Sequence, residues 1–326
     1  MKIVITSADS GQRLDKLVAK AVAGLGRSGA KRLFAEGRVR VLASGAPDAV
    51  LARGDNPRGR RAQKGDVTAE GQVVDIEIEE TVSDATPDAE APLVVLLETE
   101  RALVLEKPAG QATAPLQPGE RGTLANALLA RFPEVASCGF STREPGLCHR
   151  LDTDTSGLVL AARDKEAWEH LVTALKGGQI DKRYALLCKA DGLPEAGTID
   201  IPMAPHPKDR RRVLACLHPR DVAREKPREA STSFRVLKII GDLALVEARA
   251  PRALRHQIRA HFAALGHPLL GDELYGAEPD PRLGRHALHA FRIAWGGDVV
   301  VPAFTVTSDL PADLAAITGA EALAGA

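Results

Sequence analysis

Hydrophobic positions recur with two different periods along this chain. Near the N-terminus, Leu14, Leu17, Val18, Ala21 and Val22 fall at helical spacing, which predicts an amphipathic helix over residues 13–24. A second helix follows, with Ser28 able to cap it and Gly37 able to end it. Arg38-Val39-Arg40-Val41 then alternates with period two, and so do Val74, Ile76 and Ile78 against Asp75, Glu77 and Glu79. Both stretches predict strands. The polar segment between them, GAPDAVLARGDNPRGRRAQKGD, predicts a long loop.

The stretch TVSDATPDAEAP, residues 81–92, is small, acidic and proline-bearing, and it predicts a linker. Domains at 1–80 and 93–326 follow. Beyond the linker, the apolar runs LVVLLE, ALVLEK, GLVLAAR, YALLCK and LALVEARA predict strands, and residues 123–132, 164–176 and 256–265 predict helices. Helices and strands do not alternate strictly. The expected fold is therefore α+β, with a mixed, mainly antiparallel sheet preceded by a small α+β domain. No repeat of 20–50 residues is visible, and the tail EALAGA is expected to fray.

Composition changes this picture in three ways. The 326 residues allow two domains. Aromatics make up 3%, too few for a base-stacking platform of the single-strand-binding kind. The formal net charge of zero conceals a segregation. Residues 11–66 hold thirteen Lys/Arg against five Asp/Glu, whereas residues 67–100 hold ten acids and no Lys or Arg. The basic block would attract phosphate, and the plainer alternative is a solvated face. Residues 206–228 carry a second basic run of eight Lys/Arg, including Arg210-Arg211-Arg212, readable as a phosphate site or as a solvated loop.

The four cysteines show neither CxxC pairing nor zinc spacing, so buried, reduced thiols are expected and no metal site. The N-terminus has no apolar core of a signal peptide, and no run of 18 apolar residues occurs. A cytoplasmic location is expected, without membrane association.

The densest chemistry lies in His149-Arg150-Leu151-Asp152-Thr153-Asp154-Thr155-Ser156-Gly157-Leu158. A polar cluster here runs into an apolar strand. It would set Asp152 at the strand's mouth beside a guanidinium and several hydroxyls, donors that keep a carboxylate ionised as a nucleophile must be. The alternative is an Asx-turn or a strand-start cap. No phosphate-loop lysine motif, HExxH or GxSxG appears.

HRLDTDTSGL resembles the HRLDxxTSGL signature of the RluA-type pseudouridine synthases. Other segments are similar to that family as well. They are Glu106-Lys107-Pro108-Ala109-Gly110 (NKPAG), Pro145-Gly146, Lys182-Arg183-Tyr184 (KxY), His256-Gln257-Ile258-Arg259-Ala260-His261 (HQIRVH), Gly266-His267-Pro268, Gly271-Asp272-Glu273-Leu274-Tyr275-Gly276 (GDxxYG) and Leu288-His289-Ala290. The likeness runs from about residue 93 to 311. RLDKLVAKAVAGLGRSGAKRLFAEGRVRV and KGDVTAEGQVVDI resemble an S4-like RNA-binding domain, named after the fourth protein of the small ribosomal subunit. The loop at residues 42–57 is longer than that pattern.

The resemblance implies an isomerase that cleaves the bond between uracil nitrogen 1 and ribose, rotates the base and rejoins it through carbon 5. It assigns the essential aspartate to Asp152. It gives Arg150 the place vacated by the flipped uridine, a task suited to a planar cation. It sets Tyr184 against the base as a possible proton relay. His149, Thr155, His256 and Arg259 are expected to bind substrate, with Arg259 supporting the helix or the RNA. Arg13, Arg27, Lys31, Arg32, Arg38 and Arg40 are expected to contact RNA. The sequence departs from the family's TGRTHQIRVH, because the column of its first arginine holds Leu254. The counter-ion of Asp152 must then come from elsewhere. Arg255 is the first candidate and Arg252 the second.

Three functions compete. The first is pseudouridine formation in structured RNA, ribosomal in preference to transfer RNA, by a monomer that needs no cofactor and does not act on DNA. The second is a non-catalytic RNA-binding or ribosome-assembly protein on the same fold, which the Leu254 departure favours. The third is a glycoside or nucleoside hydrolase, disfavoured because hydrolysis wants a separated pair of carboxylates.

Overall fold

The computed structural model describes residues 1–22, 26–42, 59–77 and 85–319. The chain divides into two compact units, Met1–Ser83 and Asp84–Ala326. In the first unit, β1 (Lys2–Val4), α1 (Leu14–Ala21), α2 (Gly26–Ala35), β2 (Val39–Leu42), β3 (Arg60–Arg61) and β4 (Val73–Ile76) form an antiparallel sheet of order β1-β4-β2-β3 with two helices. The apolar stripe of α1 buries Leu14, Leu17 and Val18 against Leu33, Phe34, Val39, Val41, Val74 and Ile76. Two expectations change here. Helix α2 begins at Gly26, so Ser28 lies inside it and does not cap it. The polar loop contains β3, which pairs Arg60 and Arg61 with β2. Residues 43–58, Ile78 and the tail from 320 lie outside the described residues, as do the side chains of Arg27 and Arg32.

The second unit contains β5 (Val94–Glu98), β6 (Ala102–Lys107), α3 (Leu124–Arg131), β7 (Ser156–Ala162), α4 (Lys165–Gly177), β8 (Asp181–Lys189) and β9 (Ala196–Asp200). These are followed by β10 (Met203–Pro205), β11 (Val213–Ala215), α5 (Pro219–Glu225), β12 (Ser231–Ile240), β13 (Leu243–Arg249), α6 (Gln257–Ala264), β14 (Leu288–Trp295), β15 (Phe304–Thr307) and α7 (Ala312–Thr318). Its main sheet runs β5-β6-β7-β14-β8-β13-β12-β9, with β15 on β14, and β10 and β11 pair as a separate hairpin. Among the described residues, β7 against β14 is parallel and the other pairings are antiparallel. The fold is thus α+β and mainly antiparallel.

Every residue of β7 (SGLVLAA) is buried, which explains its unbroken apolar run. Burying a leucine such as Leu158 or Leu160 contributes roughly 1.5–3 kcal/mol. At the β7–β14 junction a Cβ on Gly157 would overlap the Ala290 carbonyl oxygen, and the glycine sits at φ +114°. Only glycine lets the two strands approach this closely.

The segment read as a linker is packed from residue 85 onward. Ala85 is buried and its N–H donates to the Thr142 carbonyl, while Asn126 Nδ2 donates to the Thr86 carbonyl at 2.7 Å. Helix α3 starts on a capping box between Thr123 and Asn126, and α4 starts on Asp164, whose side chain accepts from the Ala167 N–H. The four cysteines are buried thiols. No helix among the described residues is long and apolar enough to cross a membrane.

Candidate active site

The signature segment folds as a turn leading into β7, and three consecutive carbonyls of that turn are tied down. The Asp152 carbonyl accepts from Thr155 N–H at 3.1 Å, and the Thr153 carbonyl accepts from Gly110 N–H at 3.0 Å and from Lys107 Nζ at 2.8 Å. The Asp154 carbonyl accepts from Arg285 Nη1 at 3.1 Å. Thr113 Oγ1 donates to the Leu151 carbonyl at 2.7 Å. The Asp152 side chain projects from this fixed frame and keeps 24% of its surface open to solvent. A carboxylate held this way is preorganised yet reachable.

Lys107, at the end of β6, is fully buried and also donates to the carbonyls of Pro108 at 2.8 Å and Gln111 at 2.7 Å. Burial pushes its amine down to about 8, opposed by the charges of Asp154 and Asp152.

The cation beside Asp152 comes from α6. Arg259 Nη1 donates to Asp152 Oδ2 at 3.0 Å, while its Nε and Nη2 fork onto Asp272 at 2.7 Å each. Burial opposes the charge on Arg259, and the two carboxylates outweigh it, so the guanidinium is held above the ordinary arginine value. The same guanidinium lies 5.2 Å from the centre of the Tyr275 ring. His256 precedes α6 in a left-handed conformation, φ 52°. Its Nε2 lies 3.6 Å from Asp152 Oδ1, and its Nδ1 shares a hydrogen bond of 3.0 Å with Tyr275 Oη. His256, just before the helix, and Arg259, in its first turn, both approach Asp152. Burial holds His256 below the ordinary histidine value, against the pull of Asp152.

Arg255, the first candidate for the counter-ion, is corrected to a different place. Its Nη1 and Nη2 donate to the carbonyls of Arg210 and Arg211 at 2.9 and 2.7 Å. A helix continuing back through residue 255 would have set it on the Arg259 face, but the left-handed step at His256 turns the chain away. Arg252 is exposed and packs near Gly178, so it is not the partner either. Leu254, in the departing column, packs against the cluster of Met203, Ala260 and Tyr275.

The remaining expected residues take varied positions. Tyr184 is buried on β8, opposite Ala290 of β14 and Ala248 of β13. Burial, and then Asp152, push its hydroxyl up, so it stays protonated. Thr155 is buried and its Oγ1 lies in a 2.7 Å hydrogen bond with His286 Nε2. His149 turns inward, where its Nε2 accepts from Leu160 N–H at 3.1 Å and burial pushes it down to about 3. Its geometry is that of a neutral strand-start brace. Arg150 is exposed and pairs with Glu144 at 3.0 Å.

In the first unit, Arg13 pairs with Asp15 at 2.8 Å and Arg38 with Glu36 at 3.0 Å. Arg40 donates to the Gly59 carbonyl at 3.4 Å, and Lys31 is exposed. Sequence reasoning gave no part to Asp272, Tyr275, Lys107 or His286. The GDELYG and EKPAG segments contain three of them, but a motif match alone does not show which side chains turn inward. No group of three or more His, Cys, Asp or Glu among the described residues is placed to hold a metal.

An aspartate locked by an arginine at the open end of a rigid turn, with a buried tyrosine in its field, is suited to nucleophilic or proton-abstracting chemistry. Comparison with known proteins identifies the family. Residues 101–264 match the RNA pseudouridylate synthase family. An uncharacterized RNA pseudouridine synthase of Chloroflexus aurantiacus is 33% identical over 289 residues, covering 88% of this chain and 83% of the relative. A ribosomal large subunit pseudouridine synthase D of Xanthomonas campestris is 33% identical over 273 residues, covering 84% and 74%. Among solved structures, human RNA pseudouridylate synthase domain containing 1 superposes with a TM-score of 0.55 at 25% identity, covering 69% of this chain and 86% of that one. The match over the catalytic unit, together with these relatives, shows that the chain belongs to the RNA pseudouridylate synthase family and is an RNA pseudouridine synthase, an isomerase.

Proposed function

We propose that this enzyme converts specific uridines of large-subunit ribosomal RNA to pseudouridine with Asp152 as the essential nucleophile. The observation that carries the proposal is the ion pair of Asp152 with the buried Arg259, which supplies the positive charge that a partly desolvated carboxylate needs. Asp152 acts at the ribose as the bond from carbon 1′ to uracil nitrogen 1 breaks. The freed base turns, carbon 5 bonds to carbon 1′, and the proton that carbon 5 gives up is matched by the proton that nitrogen 1 takes up. Tyr184, buried and protonated at neutral pH, would pack against uracil and would relay the carbon 5 proton only by passing on its own hydroxyl proton in the same step. Thr155, His256 and Arg259 border the site, and Arg150 at its exposed rim would take the place of the extruded nucleotide. The reaction returns every atom of the substrate and is redox-neutral, so no cofactor is required.

The ribosomal target is supported by relatives in Xanthomonas, Nitrosomonas and Haemophilus that are named ribosomal large subunit pseudouridine synthase D. The first unit, with two helices on a small sheet and basic residues along 11–66, acts as an S4-like RNA anchor. The whole works as a cytoplasmic monomer on structured RNA, with no role on DNA or membranes.

The test is Asp152→Asn with mapped pseudouridines as the readout. The variant retains RNA affinity and loses turnover by a factor of about 10³ or more. Turnover near wild type would refute the nucleophile. A wild-type protein that binds ribosomal RNA but leaves its pseudouridine map unchanged would favour the non-catalytic alternative that the Leu254 departure raised.

A further inference from the structure

We infer that Arg255 is a positioning residue that latches the arginine-bearing β10–β11 hairpin over the catalytic site, so that Arg210 and Arg211 meet RNA phosphates beside the target uridine. This rests on the enzyme acting on RNA, and it adds a part for a residue outside the aspartate's shell.

The geometry is that of a clamp. The two outer nitrogens of Arg255 take the carbonyls of two consecutive hairpin residues, Arg210 at 2.9 Å and Arg211 at 2.7 Å, across more than forty positions of sequence. A planar fork suits two adjacent acceptors, and a lysine could not span them in the same way. Holding the backbone by its carbonyls leaves the side chains of Arg210 and Arg211 exposed. The base of the hairpin lies beside the neighbouring residue: Leu254 and Val213 of β11 both pack against the apolar cluster that contains Met203 of β10. Consecutive residues thus fix the two ends of one hairpin, an apolar contact at its base and a polar one near its tip.

The hairpin is also wired to the aspartate. Val213 N–H donates to Tyr275 Oη at 3.0 Å, and the Arg212 guanidinium lies 5.4 Å from the Tyr275 ring centre. Tyr275 Oη bonds His256, whose other nitrogen lies 3.6 Å from Asp152. The Arg212 Nε is buried and has no hydrogen-bond partner among the described residues. A hairpin fixed at these points holds the exposed Arg210 and Arg211 in a set position relative to Asp152, with Arg212 turned back onto Tyr275.

The experiment measures binding of an unmodified large-subunit ribosomal RNA transcript as a function of salt. It uses full-length protein carrying Asp152→Asn, so that no turnover is needed. Arg255→Ala is expected to weaken binding about tenfold and to reduce the slope of log affinity against log salt by roughly 1–2, as happens when arginines no longer reach phosphates. Arg210→Ala/Arg211→Ala is expected to do the same. Adding Arg255→Ala to that double variant should change little, because a latch has nothing left to position. Arg255→Lys should resemble Arg255→Ala, since the charge remains and the fork is gone. Three results would each overturn the inference: unchanged affinity in Arg255→Ala, full additivity with the hairpin substitutions, or wild-type affinity in Arg255→Lys. The last two would make Arg255 an ordinary phosphate ligand. Failure of the catalytic proposal is read separately, from pseudouridine formation by protein with Asp152 intact.

Discussion

Arg259 joins two carboxylates of unequal exposure, and its bond to Asp272 is the anchor for its bond to Asp152. Asp272 is almost wholly buried and takes both prongs of the fork, whereas Asp152 is partly open and takes one nitrogen. Arg259 is thereby fixed from behind while its third nitrogen faces the site. A buried charge that loses its partner costs about 3–5 kcal/mol. Arg259→Ala should therefore lower stability by an amount of that order and abolish turnover. Asp272→Asn is the sharper variant, because it keeps shape while releasing the fork. It should fold with a modestly lower Tm and lose turnover by about 10²-fold or more. Thermal unfolding and turnover measured on the same preparations check this. Wild-type turnover in Asp272→Asn would show that Asp152 does not depend on a fixed Arg259.

A second prediction concerns acid stability. Burial lowers His289 to about 4 and also depresses His149 and His286. These rings are neutral in the folded chain and take up protons near pH 6.5 once unfolded. Between those values the unfolded state binds more protons, so stability is full above about pH 6.5 and falls as pH drops toward 4. His289 bridges Ser156 Oγ at 2.9 Å and Ser308 Oγ at 3.1 Å, interactions that a glutamine amide can approximate. His289→Gln should flatten the acid limb by up to about 1.4 kcal/mol per pH unit. Denaturant unfolding at pH 7, 6 and 5 measures it, and an unaltered slope would show that His289 contributes no proton linkage.

The fold was largely legible in sequence wherever burial is symmetric or periodic. The runs of β6, β7, β8 and β13 and the stripe of α1 give their elements directly. Strand β12, STSFRVLKII, is half exposed and carries charges, so it shows no continuous apolar run, and β14, LHAFRIAW, mixes His, Arg and Trp into a buried strand. The site was legible as a set of motifs and illegible as a geometry. Arg255 is the first candidate in the sequence because it adjoins the departing column at Leu254, and the pattern does not register the single left-handed residue at His256 that turns it away. The packing of residues 85–92 was hidden for a related reason: a small acidic segment has linker composition whether or not Asn126 holds its backbone.

The close approach of β7 to β14 yields a third prediction. The two strands meet in parallel at Gly157 and Ala290, and a methyl group at 157 would overlap both the nitrogen and the carbonyl of residue 290. Neither atom belongs to a flexible side chain, so the sheet itself must part. Gly157→Ala should lower stability by more than about 4 kcal/mol or prevent accumulation of folded protein. Gly192→Ala, where a Cβ meets nothing within 4 Å, also sits at positive φ, +76°. It should cost only about 1 kcal/mol of backbone strain. Comparable losses at the two positions, measured by denaturant unfolding, would show that strand approach is not the constraint.

The fourth prediction tests the proposed part of the first unit. Thirteen Lys/Arg against five acids over residues 11–66 leave an excess of eight positive charges there. Several are already paired, since Arg13 lies on Asp15, Arg60 on Asp66 and Arg38 on Glu36. Such exposed pairs are worth only about 0–1 kcal/mol, so a phosphate can recruit their arginines at small cost. The catalytic unit has its own apolar clusters around β6–β7 and β8–β13, so chain beginning at residue 84 is expected to fold without the first unit. Each RNA phosphate that goes unneutralised should flatten the slope of log affinity against log salt by about 0.7–0.9. Deletion of residues 1–83 should therefore weaken RNA binding most at low salt, with the two affinities converging as salt rises. Lys31→Ala, at an exposed helical position, should lower the slope by the amount due to about one phosphate while leaving Tm unchanged. Equal slopes for the full chain and for the chain starting at residue 84 would move the electrostatic anchor to the catalytic unit, where the arginines of the β10–β11 hairpin would have to carry it alone.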